Sequence, residues 1–169
     1  MEMEAIVSAH EAPLLRYAAG ILGSSHAAQD VVQNAFIKLF REWKPGVRPT
    51  EAIRGWLYRV VHNEAVDYLR RETRLHLLHE AHAQQLMAAA SANPGPDRAE
   101  QMQMIVAQIR RLSLGEQQVL LLRLQEGLSY REISEVTGRT EGNVGCLLHE
   151  AVRKLSGMMR KRAEASPVA

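Results

Sequence analysis

The chain has 169 residues, 46% of them apolar and 24% charged, which is too apolar for a disordered protein and ordinary for one globular domain or two small ones. Net charge is only +2, so global electrostatics do not mark a nucleic-acid binder, and a single cysteine, Cys146, excludes an internal disulfide and any multi-cysteine zinc site. No aliphatic run approaches the roughly 18 residues of a membrane span, and Glu2, Glu4 and Glu11 stand where a signal peptide is basic and apolar, so a cytoplasmic protein without membrane insertion is expected.

Aromatic residues are 5% of the chain, and Leu, Ala and Val supply most of the apolar mass, which favours an all-α fold with an aliphatic core. Leu14, Leu15, Ala18, Ile21 and Leu22 recur at helical spacing until Gly23. Ser24 and Ser25 are N-cap candidates for a second helix, whose stripe Val31, Val32, Ala35, Phe36, Leu39 and Phe40 stops at Trp43, Pro45 and Gly46. A third helix opens at Thr50, with Ile53, Trp56, Leu57, Val60 and Val61 on one face, and Asn63, a poor helix-interior residue, predicts a break or kink.

Residues 87 to 99, MAAASANPGPDRA, lack apolar periodicity after Met87 and carry Pro94 and Pro96, so a flexible linker divides the chain there. Beyond it, Ser113 with Glu116 forms a capping box that opens a helix through Val119, Leu120, Leu122 and Leu124 to Gly127. Ser129 with Glu132 is a second box, and Leu128 with Ile133 adds a hydrophobic staple. That short helix stops near Gly138. Thr140 caps the last one, which carries the stripe Val144, Leu147, Leu148, Ala151, Val152 and Leu155. A tight glycine-containing turn between the last two helices makes a helix-turn-helix.

Such a final helix lies in the DNA major groove and offers its N-terminal residues to base edges. Asn143 is suited to pairing both amide atoms with adenine, while Arg139, Arg153 and Lys154 are candidates for phosphates. In the first half, five arginines from Arg54 to Arg74 face three acids, enough for a local patch to attract phosphate. Tyr58 and Tyr68 fall off the apolar stripe and are the candidates to stack on unpaired bases; Trp56 lies on the stripe and is assigned to the core. The polar side of the second helix, with Gln29, Asp30, Gln33, Asn34, Lys38 and Arg41, suits a protein partner. No Walker loop, Gly-rich nucleotide turn or HExxH is present, and neither an enzyme nor a cofactor is expected. His76, His79 and His82 recur every third residue on a polar helix and are read as solvent-facing, with no metal site assigned; Cys146, with His149 three residues on, is read as a small side chain of the last helix.

The stretches AAQDVVQNAFIKLFREW, IRGWLYRVVHNEAVDYLRRETR and IRRLSLGEQQVLLLRLQEGLSYREISEVTGRTEGNVGCLLHEAVRKL, in this order around a linker, resemble the extracytoplasmic-function group of sigma-70 family RNA polymerase sigma factors. The resemblance implies two small helical domains, a region 2 bundle over 1–86 and a region 4 helix-turn-helix over 105–165, joined by a linker over 87–104. It implies that Asp30, Gln33, Asn34 and Lys38 dock on the clamp helices of core RNA polymerase. Arg54, Tyr58, Arg59, Asn63, Asp67, Arg70, Arg71 and Arg74 then contact the minus-ten element of promoter DNA, with Asn63 where relatives hold a flipped-out base. Arg139, Thr140, Glu141, Asn143, Cys146, His149, Arg153 and Lys154 contact the minus-thirty-five element, and an anti-sigma factor is a further partner. The chain departs from the family pattern at Asn34, commonly acidic, and at Gly145, Leu147 and Glu150, commonly basic. A stand-alone helix-turn-helix regulator is the alternative. It needs no basic, aromatic-bearing helix beside a polar docking helix.

Overall fold

A computed structural model describes residues 3–42, 51–79 and 104–165, and every regular element in them is helical. They fall into two compact units, one built on residues 3–79 and the other on 104–134 and 139–165. The linker expected at 87–104 lies almost wholly outside the described residues, as do the predicted stop at Trp43, Pro45 and Gly46 and the end of the histidine series at His82.

In the first unit α1 spans Met3–Leu22, α2 Ser25–Glu42 and α3 Glu51–His79, and each packs on the other two. Helix α1 begins further upstream than its leucine stripe suggests and runs through Pro13. A proline forfeits one ladder bond, and here the burial of Ile6 on one side and Leu14 and Tyr17 on the other holds the helix across it. Gly23, at φ 67°, returns its amide to the Ala19 carbonyl at 2.9 Å, a left-handed cap that glycine adopts without steric penalty. Ser24, not Ser25, caps α2: its hydroxyl accepts from the Ala27 amide at 3.2 Å.

Helix α3 is one unbroken rod of 29 residues, so the break predicted at Asn63 does not occur. Asn63 is exposed there and loses no packing by being helical. The helix is pinned one residue earlier, where buried His62 meets Tyr17 through a 2.9 Å hydrogen bond between the phenol oxygen and Nδ1. Tyr17 also meets Tyr58 edge to face, with ring centroids 6.0 Å apart. Tyr17→Phe removes a partner from a buried imidazole and is expected to lower stability by about 1–2 kcal/mol. Urea unfolding of the full chain measures it, and an unchanged midpoint would contradict a structural role for this bond.

From residue 104 onward α4 is described over 104–109, followed by α5 (Leu114–Leu120), a π-helical turn (Leu121–Gln125), α6 (Tyr130–Thr137) and α7 (Glu141–Ala165). Both capping boxes form. The Ser113 hydroxyl accepts from the Glu116 amide, and the Ser113 amide donates to the Glu116 carboxylate at 2.9 Å; Ser129 and Glu132 repeat the pattern. The π turn widens the helix before Gly127, at φ 69°, ends it. This widening is invisible in the apolar periodicity, and Leu124, counted there as core, is 71% exposed. Gly138, at φ 70°, makes the tight turn, and Thr140 caps α7 by accepting from the Asn143 amide at 3.2 Å. Of the predicted α7 stripe, Val144, Leu148 and Ala151 are buried and Val152 is exposed.

Candidate functional site

Three surfaces carry the candidate residues. On α2, Asp30, Gln33, Asn34 and Lys38 are all exposed, on the side opposite the buried set Ala28, Val31, Val32, Ala35 and Leu39. Lys38 is ion-paired with Glu64 of α3, so it braces the helices as well as facing outward. Ile37, unremarked in the sequence, is 41% exposed amid this polar face, flanked at helical spacing by Asp30, Gln33, Asn34 and Arg41. Phe40, assigned to the core by its stripe, is 57% exposed on the edge of the same surface. An apolar centre within a polar rim is the composition of a protein-docking patch.

On α3, Arg59, Asn63, Asp67, Arg70 and Arg74 are exposed and recur every three or four residues, forming one stripe along the helix. Trp56 heads that stripe and is only half-buried. Tyr58, expected to stack on bases, is 2% exposed and belongs to the core. Tyr58 is thus a core residue, and Trp56, assigned to the core from sequence, is the less buried of the two. The reason is the phase of α3: Tyr17 packs against the side that bears Tyr58 and His62, which turns Trp56 outward. Arg54 likewise departs from the stripe. Its guanidinium lies over the Tyr58 ring at 5.7 Å, and His10, whose pKa is lowered by burial and then by this arginine's charge, lies nearby. Arg71 sits at the edge of the stripe and donates through Nε to the Asp67 carbonyl at 3.3 Å, while Tyr68 is half-buried.

In the helix-turn-helix, Thr140, Glu141, Asn143, Cys146, His149 and Arg153 are exposed on α7 or at its cap. The three basic residues expected on phosphates, Arg139, Arg153 and Lys154, are all engaged within the chain. Arg153 pairs with Glu150 at 2.7 Å; its hydrogen bond, ahead of opposing desolvation, lowers the carboxyl's pKa, and the same bond raises the arginine's. Lys154 reaches back to Glu116 of α5 at 2.6 Å. Burial pushes the Glu116 carboxyl up, but the Lys154 hydrogen bond, the Ser113 amide and the Lys154 charge outweigh it and hold it below its ordinary 4.5. Lys154 is therefore a brace between α5 and α7. Arg139 is half-buried: one guanidinium nitrogen lies where a Cβ on Gly115 would come within 2.9 Å, and another donates to Asn143 Oδ1 at 3.3 Å. A shallow apolar groove between α4 and the end of α7, lined by Met104, Ile105, Leu155 and Met159, gave no distinct signal in the sequence.

His76 is exposed, and among the described residues no cluster of His, Cys, Asp and Glu is placed to hold a metal. Among the same residues no helix is long and apolar enough to cross a membrane.

Comparison with known proteins places the chain in a family. Sigma-70 region 2 matches residues 6–75, and sigma-70 region 4 matches residues 102–155. The chain is 27% identical over 165 residues to the ECF RNA polymerase sigma factor SigE of Mycolicibacterium smegmatis, covering 94% of this chain and 62% of that protein. It therefore spans less than two thirds of that relative. It is 27% identical to the RNA polymerase sigma factor YlaC of Bacillus subtilis over 81% of this chain and 80% of that one. SigL of Mycobacterium tuberculosis is 28% identical over 90% and 86%. The fold is that of the sigma factor RpoE, solved with the anti-sigma factor NepR from Bartonella quintana, at a TM-score of 0.73, 18% identity and coverage of 93% and 96%. With both regions matched in order across most of its length, the chain belongs to the sigma-70 family of RNA polymerase sigma factors, in the extracytoplasmic-function group, whose work is promoter recognition and transcription initiation.

Proposed function

We propose that the chain binds core RNA polymerase through the α2 face centred on Ile37 and positions it on promoters through two separate DNA-reading surfaces. The single observation that carries this reading is the α3 stripe, where Trp56 and three arginines, Arg59, Arg70 and Arg74, share one exposed face with Asn63. A basic track bearing an outward aromatic suits a strand being unpaired: the arginines follow phosphates while the indole stacks on a base. Opening a duplex sacrifices a few kcal/mol of stacking per base, which contacts to the released strand must offset. The helix-turn-helix, from Arg139 to Lys154, reads the minus-thirty-five element as duplex. The boundaries 1–86, 87–104 and 105–165 delimit the two readers and their connection.

Because Arg153 and Lys154 are satisfied internally and Gly145, Leu147 and Glu150 supply no positive charge, the first four turns of α7 have little charge to spare for phosphates, and its exposed Arg160, Lys161 and Arg162 lie at the far end. Duplex affinity is then raised by tethering, since two weak readers on one polymerase gain through effective concentration. Nucleotidyl transfer belongs to the polymerase; this chain contributes binding energy and forms no covalent intermediate. It works in the cytoplasm, where that partner is. An anti-sigma factor, the kind of partner seen with RpoE, covers the same surfaces and holds the chain inactive.

Run-off transcription by core polymerase with and without the chain tests the reading, and no chain-dependent transcript would refute it. Within that assay, Arg59→Ala and Arg74→Ala should each flatten the dependence of open-complex stability on salt, by about 0.7 to 0.9 in the log–log slope per contact. An unchanged slope for both would remove the stripe from the DNA interface.

A further inference from the structure

We infer that Arg139 sets which base Asn143 reads, acting as a positioning residue that turns the asparagine's NH₂ donors to the base edge and so favours guanine. The inference rests on the proposed reading of the minus-thirty-five element by α7, and it reverses the expectation that Asn143 pairs with adenine.

The Asn143 amide is held from two sides. Its backbone N–H is fixed by the Thr140 hydroxyl at 3.2 Å, which places it in the first turn of α7, where a recognition helix meets base edges. Its side-chain oxygen accepts from Arg139 Nη1 at 3.3 Å. A guanidinium has five N–H groups and no acceptor, so only the amide oxygen can face it; the pairing itself decides the orientation of an otherwise reversible amide. The NH₂ group, with its two donors, is left to point away from Arg139.

Adenine presents an N7 acceptor and an N6 donor in the major groove, and reading it requires both the oxygen and the nitrogen of an asparagine. With one lone pair of the oxygen held by Arg139 and the guanidinium's positive charge beside it, an N6 donor approaching the second lone pair is disfavoured. Guanine presents N7 and O6, two acceptors and no donor, which an outward NH₂ group matches. Thymine offers one acceptor beside a methyl group and matches less well.

Arg139 is itself placed by Gly115. A Cβ at that position would lie 2.9 Å from Arg139 Nη2, 3.4 Å from its Cζ and 3.7 Å from Leu147 Cδ1, so the guanidinium occupies room that only glycine leaves. Glycine is unfavourable inside a helix, and α5 carries it at the second position after its Ser113 cap. Because the obstructing atoms are the far end of a flexible side chain, Gly115→Ala should displace the guanidinium while sparing α5. It gives a perturbation of Asn143 orientation that leaves Asn143 itself untouched and meets α7 only at an ordinary van der Waals distance from Leu147.

The test is run-off transcription by core polymerase with the full-length chain from templates randomised across the minus-thirty-five element, each variant linked to its own barcode downstream of the start site, followed by sequencing of the barcodes in the transcripts. Asn143→Ala identifies the position read. There the unaltered chain should enrich guanine over adenine by about tenfold, and Arg139→Ala should bring adenine level with or above guanine. Gly115→Ala should move the ratio in the same direction, with transcription from the pooled templates retained. A guanine-to-adenine ratio that is the same in the unaltered chain, Arg139→Ala and Gly115→Ala would overturn the inference, and so would adenine enriched by the unaltered chain. If transcripts form but no position responds to Asn143→Ala, the placement of Asn143 against DNA is wrong and the inference falls with it. Absence of any chain-dependent transcript would instead refute the proposed function.

Discussion

Ile37→Asp is expected to cut capture of core RNA polymerase, and with it chain-dependent run-off transcript, by about thirtyfold. The position is 41% exposed at the middle of the α2 face, so the folded chain gains little from its side chain and the melting temperature should stay nearly unchanged. In a docked complex the same side chain becomes the buried centre of the patch, where truncating an anchor costs about 2 kcal/mol or more, and a carboxylate in its place adds desolvation. Exposed Phe40 offers the comparison at the edge, and Phe40→Asp should weaken capture less. Capture at full strength by Ile37→Asp would show that polymerase docks elsewhere.

Lys154→Met should destabilise the second unit by about 2 kcal/mol, a fall of roughly 10 °C in its melting temperature. The lysine is itself partly exposed, but Glu116 is 4% exposed, and losing the cation leaves a carboxylate buried with only Ser113 to satisfy it. Adding Glu116→Gln to Lys154→Met should recover most of the loss, because no charge then remains to be solvated. The pH dependence follows from the same pair. The Glu116 pKa is lower folded than unfolded, so its contribution is complete above the ordinary carboxylate value and is lost as pH falls through the depressed one. Thermal melts should therefore show the second unit losing stability on acidification from about pH 5 downward, with a shallower loss in Glu116→Gln. Equal slopes in the two would refute the assignment.

Much of this architecture was legible because it is local. Capping boxes at Ser113 and Ser129, the left-handed glycines at 23, 127 and 138, and the apolar stripes fix where helices start, stop and turn inward. What escaped depends on partners distant in sequence. The α3 pattern allows either of two flanks to join Ile53, Leu57 and Val61 in the core. Tyr17, on another helix, chooses the flank bearing Tyr58 and His62 and turns Trp56 outward. The break expected at Asn63 came from weighing an intrinsic preference that packing at its neighbour overrides. Phe40 shows the converse: its place on the apolar stripe predicts burial, yet in the folded chain it is exposed. Lys154 looked like a phosphate ligand because sequence cannot show Glu116 waiting on another helix.

The continuity of α3 has a consequence for promoter architecture. From Trp56 to Arg74 a straight helix measures about 27 Å, the length of roughly eight nucleotides of stacked strand. A kinked segment would let its two ends adjust independently to inserted or deleted bases. A stiff ruler has no such tolerance, so promoters served by this factor should hold the internal spacing of their melted element fixed while varying more freely in the distance to the upstream one.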